Sequence, residues 1–431
     1  VLDTITLLMK KIFNILYSTR LTAVLFFLFA IAMGVATFIE NDYGTQTSKA
    51  LVYNSFWFEA IMGFFVINFF GNIFRYRLYK KEKWAVLLFH ASFLLILVGA
   101  GITRYVGYEG IMVVEEGEMT NKFLSETTYV NIVIDNNNEQ KPTIHEPILL
   151  SGWGSNSWGF STKFRKQPVH FELVDYIPWA TQKFIEDEAG DDYLFLVESS
   201  SGSRHEHYIK KGTVENIHNI LIGFDAPNTA TINITTSGDG LKIQASADGN
   251  FMRMADQFKG TVAKDSVQDF QFRSLYTISG LPFVVPNPVM TGKMTTVRGP
   301  KNDKDLSSDM LVIDVTTNNK TERIELTGGK FNSQNSKQLT VDNLNFRMLY
   351  GSKTLETPFH VKLKDFELEK YPGSESAASY ASEVTVISPE KTFDYRIFMN
   401  HILDYKGYKL FQSSYDITGE KEETHLSVNH D

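Results

Sequence analysis

The stretch AVLLFHASFLLILVGAGIT, Ala85–Thr103, runs for nineteen residues with no Asp, Glu, Lys or Arg and a single histidine, His90. At a rise of about 1.5 Å per residue it is a helix just long enough to cross the hydrocarbon core of a bilayer. Two more predominantly apolar stretches of the same length precede it, Leu21–Ile39 and Phe56–Phe74. Lys10, Lys11 and Arg20 before the first make it look like a secretory leader, but two spans follow closely, so it reads as a retained helix.

Lys and Arg in the short loops orient the three spans. The N-terminal arm and the loop between spans two and three (Arg75, Arg77, Lys80, Lys81, Lys83) hold eight, and the loop between spans one and two holds only Lys49. Basic loops stay on the cytoplasmic side. Residues 104–431 are therefore expected outside, on the periplasmic face of the cytoplasmic membrane.

Composition divides at the same place. Mean hydropathy is −0.16 for the whole chain, yet nearly all the long apolar runs lie in 1–103. That region carries a net charge of +4 and residues 104–431 carry −12. An acidic outer region argues against nucleic acid as a partner. With no cysteine in the chain, thiol chemistry, Fe–S clusters and Cys-based zinc sites are excluded.

An ionisable side chain in a membrane span is costly to keep and marks a functional site by default. His90 reads in two ways. It is an axial ligand for haem iron or another metal, with Phe89 and Phe93 beside it as walls for a flat apolar ring. Or it is a polar residue near the interface, bonded to a backbone carbonyl or to water. Asn68 and Asn72, four apart in the second span, share a helix face and read as interhelical hydrogen-bond partners.

The outer region reads as strands, among them Thr128–Asp135, His170–Tyr176, Tyr193–Glu198, Glu383–Ser388 and Tyr395–Met399, rich in β-branched and aromatic residues. Phe251–Lys264 reads as a short amphipathic helix on Met252, Met254, Phe258 and Val262. Pro168–Tyr176 parallels Pro358–Phe366, and Ile209–Phe224 runs in step with Ile397–Gln412, at an offset of about 190 residues. This predicts two copies of one β unit, near 160–225 and 345–416. The expected fold is thus an integral membrane protein: three N-terminal transmembrane α-helices, then a large all-β extracytoplasmic domain with an internal repeat and a short helical insert.

His205 and His207, spaced i, i+2, share a strand face; a metal pair and an exposed hairpin are both open readings. His170 and His360 occupy equivalent repeat positions and read as structural. No nucleophile elbow, H-E-x-x-H or P-loop is present, and no residue reads as catalytic. On residues alone, a membrane-anchored extracytoplasmic binding or sensing protein is the alternative function.

Several passages carry a resemblance. Ser18-Thr19-Arg20-Leu21 opens the first span and Ala36-Thr37-Phe38-Ile39-Glu40 closes it. Leu88-Phe89-His90 lies in the third, and Gly107-Tyr108-Glu109-Gly110 and Glu116-Gly117-Glu118 follow. Late in the chain come Tyr371-Pro372-Gly373-Ser374, Ser379–Val384, Met399-Asn400-His401 and Tyr405–Asp416. Together these are similar to the ResB/CcsB component of the System II cytochrome c maturation machinery, most closely to Bacteroidetes-type members in which this half is fused to a CcsA half. The resemblance implies a complex that exports haem and joins it to the C-x-x-C-H thiols of apocytochrome c. It implies haem held by His90 and by a second histidine of a CcsA-type partner. The tryptophan-rich haem-handling segment of the CcsA half is absent from this sequence, and a further span is expected after Asp431. The resemblance therefore implies part of a haem-attachment complex rather than a complete synthase.

Overall fold

The computed structural model describes residues 2–136, 139–199, 204–226, 230–238, 240–300, 308–374, 376–418 and 421–430. Five helices come first: α1 (Leu2–Leu16), α2 (Thr19–Tyr43), α3 (Thr45–Ser48), α4 (Phe56–Arg75) and α5 (Trp84–Tyr105). One wider turn, Lys49–Tyr53, prolongs α3. Ser18 and Ser55 cap α2 and α4, their hydroxyls accepting from the N–H of Leu21 and Phe58. Gly44, at φ 85°, ends α2. Among the described residues three helices are long and apolar enough to cross a membrane, and they contain the three spans read from the sequence.

The helices pack on aromatic rings. Phe65 and Phe69 of α4 are buried against Leu25 of α2 and against Phe93, Leu94 and Leu97 of α5. Gly71 of α4 lets α1 approach, because a Cβ there would sit 1.9 Å from the Tyr17 ring. Asn68 and Asn72 lie within this joint. The Asn68 amide donates to Leu16 O (2.7 Å) and Ser18 O (3.1 Å), and its oxygen accepts from Thr22 Oγ1 (2.6 Å) and Asn72 Nδ2 (3.0 Å). They are hydrogen-bond partners between helices, as their spacing suggested. Arg75 donates to Asn14 O and Tyr17 O and so closes the free carbonyl end of α1.

The β region divides into two compact units. One comprises residues up to Ala180 and from Arg298 onwards, helices included; the other is Thr181–Val297, inserted into it. The sequence reading took 104–431 as one domain. Strands flank the insertion on both sides, so no shift in composition marks it.

In the first unit, an antiparallel ten-stranded sheet is ordered Thr392–Phe398, Ala377–Ile387, Leu344–Lys370, Met119–Asp135, Tyr108–Glu115, Lys421–His430, Tyr408–Thr418, Leu403–Tyr405, with two short strands beside the path. Leu344–Lys370 serves two cores. Its even positions, Leu344 to Tyr350, face the first core, and its odd positions, Thr357 to Leu363, face the second. Even and odd positions of a strand point to opposite faces, so one strand can serve a core on each. Between the two stretches the pairing slips: Ser352 pairs with Thr128 and Thr354 with Leu124, which leaves Ser125, Glu126 and Thr127 as a bulge on the neighbouring strand. The first core is a sandwich closed by a four-stranded sheet (Lys320–Gly328, Asp309–Thr317, Gln167–Ile177, Gly159–Phe164). The second lies where the large sheet curls on itself around Phe123, Phe359, Val384 and Leu426.

The inserted unit holds a seven-stranded and a five-stranded sheet over one core that includes Phe224, Tyr276 and Phe283. Two expectations change within the β region. Phe251–Lys264 is not a helix: Gly249–Arg253 and Lys259–Val262 pair as an antiparallel hairpin. Phe251 lies across Gly260, where a Cβ would meet its ring at 2.4 Å, and stacks on Tyr276 at 5.3 Å. Met254 and Phe258, counted on a helix face, are exposed around the turn. The two stretches read as repeats also diverge. Pro168–Tyr176 lies in the four-stranded sheet and Ile209–Phe224 in the inserted unit, whereas both later stretches belong to the ten-stranded sheet. The likeness is one of single strands and does not extend to a common arrangement.

Candidate functional site: a histidine on an open helix face

His90 lies in the first half of α5, four residues past Val86, and its Nδ1 is 2.9 Å from Val86 O. A carbonyl only accepts, so this nitrogen carries the proton and the ring is the Nδ1–H tautomer. In the neutral ring Nε2 then presents a lone pair, and among the described residues it has no hydrogen-bond partner. An imidazole anchored through one nitrogen to a backbone carbonyl, with the other free, is the form that binds metals, because the anchor fixes both tautomer and ring direction. The bond to Val86 O is the one the polar-residue reading expects, and it leaves Nε2 available to a ligand.

The surroundings are aromatic. The ring of His90 meets Phe69 of α4 edge-on at 5.5 Å and Phe89 at 6.1 Å. Phe93 stacks on Phe69 at 5.1 Å and touches Phe89 at 4.9 Å. Phe93 is therefore turned into the α4–α5 seam, while Phe89 is 59 % exposed. No residue of α5 is buried. Leu88, Leu95, Ile96 and Val98 are all more than half exposed. The helix that carries the histidine thus offers a broad apolar face and one imidazole nitrogen. One imidazole is a single potential ligand, so a six-coordinate iron bound here would need a second from elsewhere.

The histidines of the β region are differently placed. His170 meets Ser161 Oγ at 2.8 Å, His425 meets Ser414 Oγ at 3.0 Å, and His401 donates to Arg396 O. His205 and His207 lie on His205–Lys210, which pairs antiparallel with Tyr193–Glu198 as the hairpin reading expects, but both are half-buried rather than exposed. No sequence signal marks the group beside His207. The Glu198 carboxylate, wholly buried, lies 3.0 Å from His218 Nε2 and 3.8 Å from His207 Nε2. Burial pushes the His207 imidazole below its ordinary range, and the Glu198 charge opposes that only in part. Among the described residues no three His, Cys, Asp or Glu side chains form a group that could hold a metal ion.

The model of the ResB-like family matches residues 80–140 and 326–431. The chain matches the ResB-like family. The first matched segment contains α5 with His90 and the two long strands that follow it; the second contains most of the remaining ten-stranded sheet. The chain is also similar to Protein NrfI of Wolinella succinogenes, 27% identical over 422 residues, which is 97% of this chain and 33% of that protein. It spans about a third of the length of that curated relative.

Proposed function

We propose that this ResB-like chain acts in cytochrome c maturation, as the half of a haem export and attachment complex that receives haem in the membrane. The observation that carries this reading is the His90 ring, anchored at Nδ1 on Val86 O and open at Nε2 on a helix with no buried residue. The ring would hold haem iron through Nε2. Phe89, exposed beside it, would cover part of the macrocycle, and Phe93 would set the floor by holding Phe69 against the histidine edge. The second axial ligand would come from a CcsA-type partner, fused or separate, packed on the bare face of α5. Bound haem supplies the iron and the vinyl groups to which cysteine thiols add. This chain's part is to position and release it, with the β units on the periplasmic side, where apocytochrome c arrives. No residue of this chain is assigned to thioether chemistry, so the chain is a component of a synthase and not the synthase.

The test is an absorption spectrum of the chain co-purified with a CcsA-type partner, beside His90→Ala. The expected result is a low-spin spectrum with a sharp reduced α-band, lost or converted to high spin in the variant. Unchanged haem content and spectrum in His90→Ala, with the complex intact, would overturn the assignment. Haem-free protein from haem-replete cells would favour the membrane-anchored binding reading.

A further inference from the structure

Within the first unit, a cavity of about 610 Å³ opens where α2 ends, between the α3 turn and the sandwich. That is the size of a small-molecule site. Two lysines meet in it. Lys49, from the turn after α3, and Lys330 each place Nζ 2.9 Å from the same oxygen of Glu126. Glu126 is aimed there by the bulge at 125–127, which is tied down by Ser352 Oγ donating to Ser125 O and by the Ser125 hydroxyl donating to Thr127 O. Burial alone would raise the Glu126 carboxyl; hydrogen bonds from Lys330, from Lys49 and from the Glu109 side chain outweigh it and hold it at about 2. One carboxylate therefore faces two ammonium groups, each with N–H donors to spare.

The other acidic residue of the wall, Asp309, is engaged elsewhere. It accepts from Tyr176 Oη (2.8 Å) and from the N–H of Trp179 (2.9 Å), and burial pushes its carboxyl up towards the neutral form. The Gln46 side-chain oxygen, also on the wall, is buried without a hydrogen-bond partner. Tyr43, Pro147, Leu149 and Trp179 make the apolar side. Ammonium groups with N–H donors to spare, beside an apolar wall, suit an anion on an apolar body; the Gln46 oxygen is an acceptor and takes no part in holding it.

We propose that this cavity binds the acidic end of an amphipathic ligand, one or two carboxylates or a phosphate. If the haem-delivery reading holds, the propionate edge of haem is one source; an anionic phospholipid headgroup carries the same chemistry and is the other.

The full chain in detergent is titrated with metal-free protoporphyrin, which has both carboxylates but no iron for His90 to ligate, and with its dimethyl ester. Binding is read by quenching of tryptophan fluorescence. Saturable binding of the acid is expected, weakened about tenfold or more in Lys49→Gln/Lys330→Gln, the equivalent of one lost charge-assisted hydrogen bond. Glu126→Gln, which releases both lysines, is expected to tighten it. The ester should bind as weakly as the double variant, and the probe has no iron for His90 to hold, which separates the cavity from the haem ligand. Displacement by phosphatidylglycerol supports the proposal with lipid as the source; porphyrin binding that resists it supports the propionate source. Ester binding equal to the acid, no binding of either probe, or loss of affinity in both the lysine and the Glu126 variants would overturn it.

Discussion

The sandwich of the first unit and the helix α5 differ in where they place apolar surface. The sandwich hides it: Val130, Phe171, Ile313 and Met348 have no accessible area. α5 shows it along its whole length, and the helices are joined by small buried clusters, Leu25, Phe65 and Phe69 among them, and by the polar bonds of Asn68 and Asn72. Histidines of the β units have polar neighbours within their own units: a hydroxyl for His170, a carbonyl for His401 and the buried Glu198 for His207 and His218. His90 is anchored on a carbonyl as His401 is; what differs is its setting, an apolar helix long enough to cross a membrane and with no buried residue.

The comparison breaks first, and hardest, in the sandwich. Phe171→Ala empties a fully buried position and should cost about 3–5 kcal/mol, read as a lower denaturation midpoint of the first unit. If the regions differ as described, haem co-purifying on α5 should persist in conditions where that variant stays folded. Gly71→Ala should cost about 1–3 kcal/mol, because Tyr17 must leave its place over α4. Faster proteolysis near α1 would report it, and unchanged cleavage would show that the α1–α4 contact is not tight. Asn68→Leu removes the amide that bonds Leu16 O and Ser18 O. In a membrane-like setting this should cost about 1–2 kcal/mol, seen as a lower midpoint in detergent titration.

The smallest effect is a pH slope in the inserted unit. His207 has a folded pKa below its ordinary value, so the folded state binds fewer protons than the unfolded one. Its contribution is present above the ordinary imidazole range and lost as pH falls through the depressed folded value. Thermal unfolding of wild type and His207→Gln between pH 7.5 and 5 (roughly the imidazole range) should show a flatter dependence in the variant, by a few °C at most. Parallel curves would mean that His207 stays neutral throughout.

Length and polarity made the helices legible: about twenty uncharged residues in water-exposed sequence have few alternatives. Strands such as His170–Tyr176 and Glu383–Ser388 were legible from β-branched and aromatic content. What joins them was not. The bulge at Ser125–Thr127 depends on a slip in a partner more than two hundred residues away. Phe251–Lys264 misled because Met252, Phe258 and Val262 mimic a helix stripe, while the fact that decides for a hairpin, the Phe251 ring over Gly260, is a tertiary contact. At the candidate site, His90, Phe89 and Phe93 were named from sequence; Phe69, which braces the ring, belongs to another helix and was missed. Lys49, Glu126 and Lys330 are far apart in the chain and carry no local signal.

The most direct test of the central claim replaces the ligand without replacing the helix. With a CcsA-type partner, His90→Gly should lose the low-spin haem spectrum and regain it when imidazole is added, since free imidazole can occupy the position its Nε2 held. A low-spin spectrum in His90→Gly without imidazole, in an intact complex, would contradict the account and return His90 to a structural role.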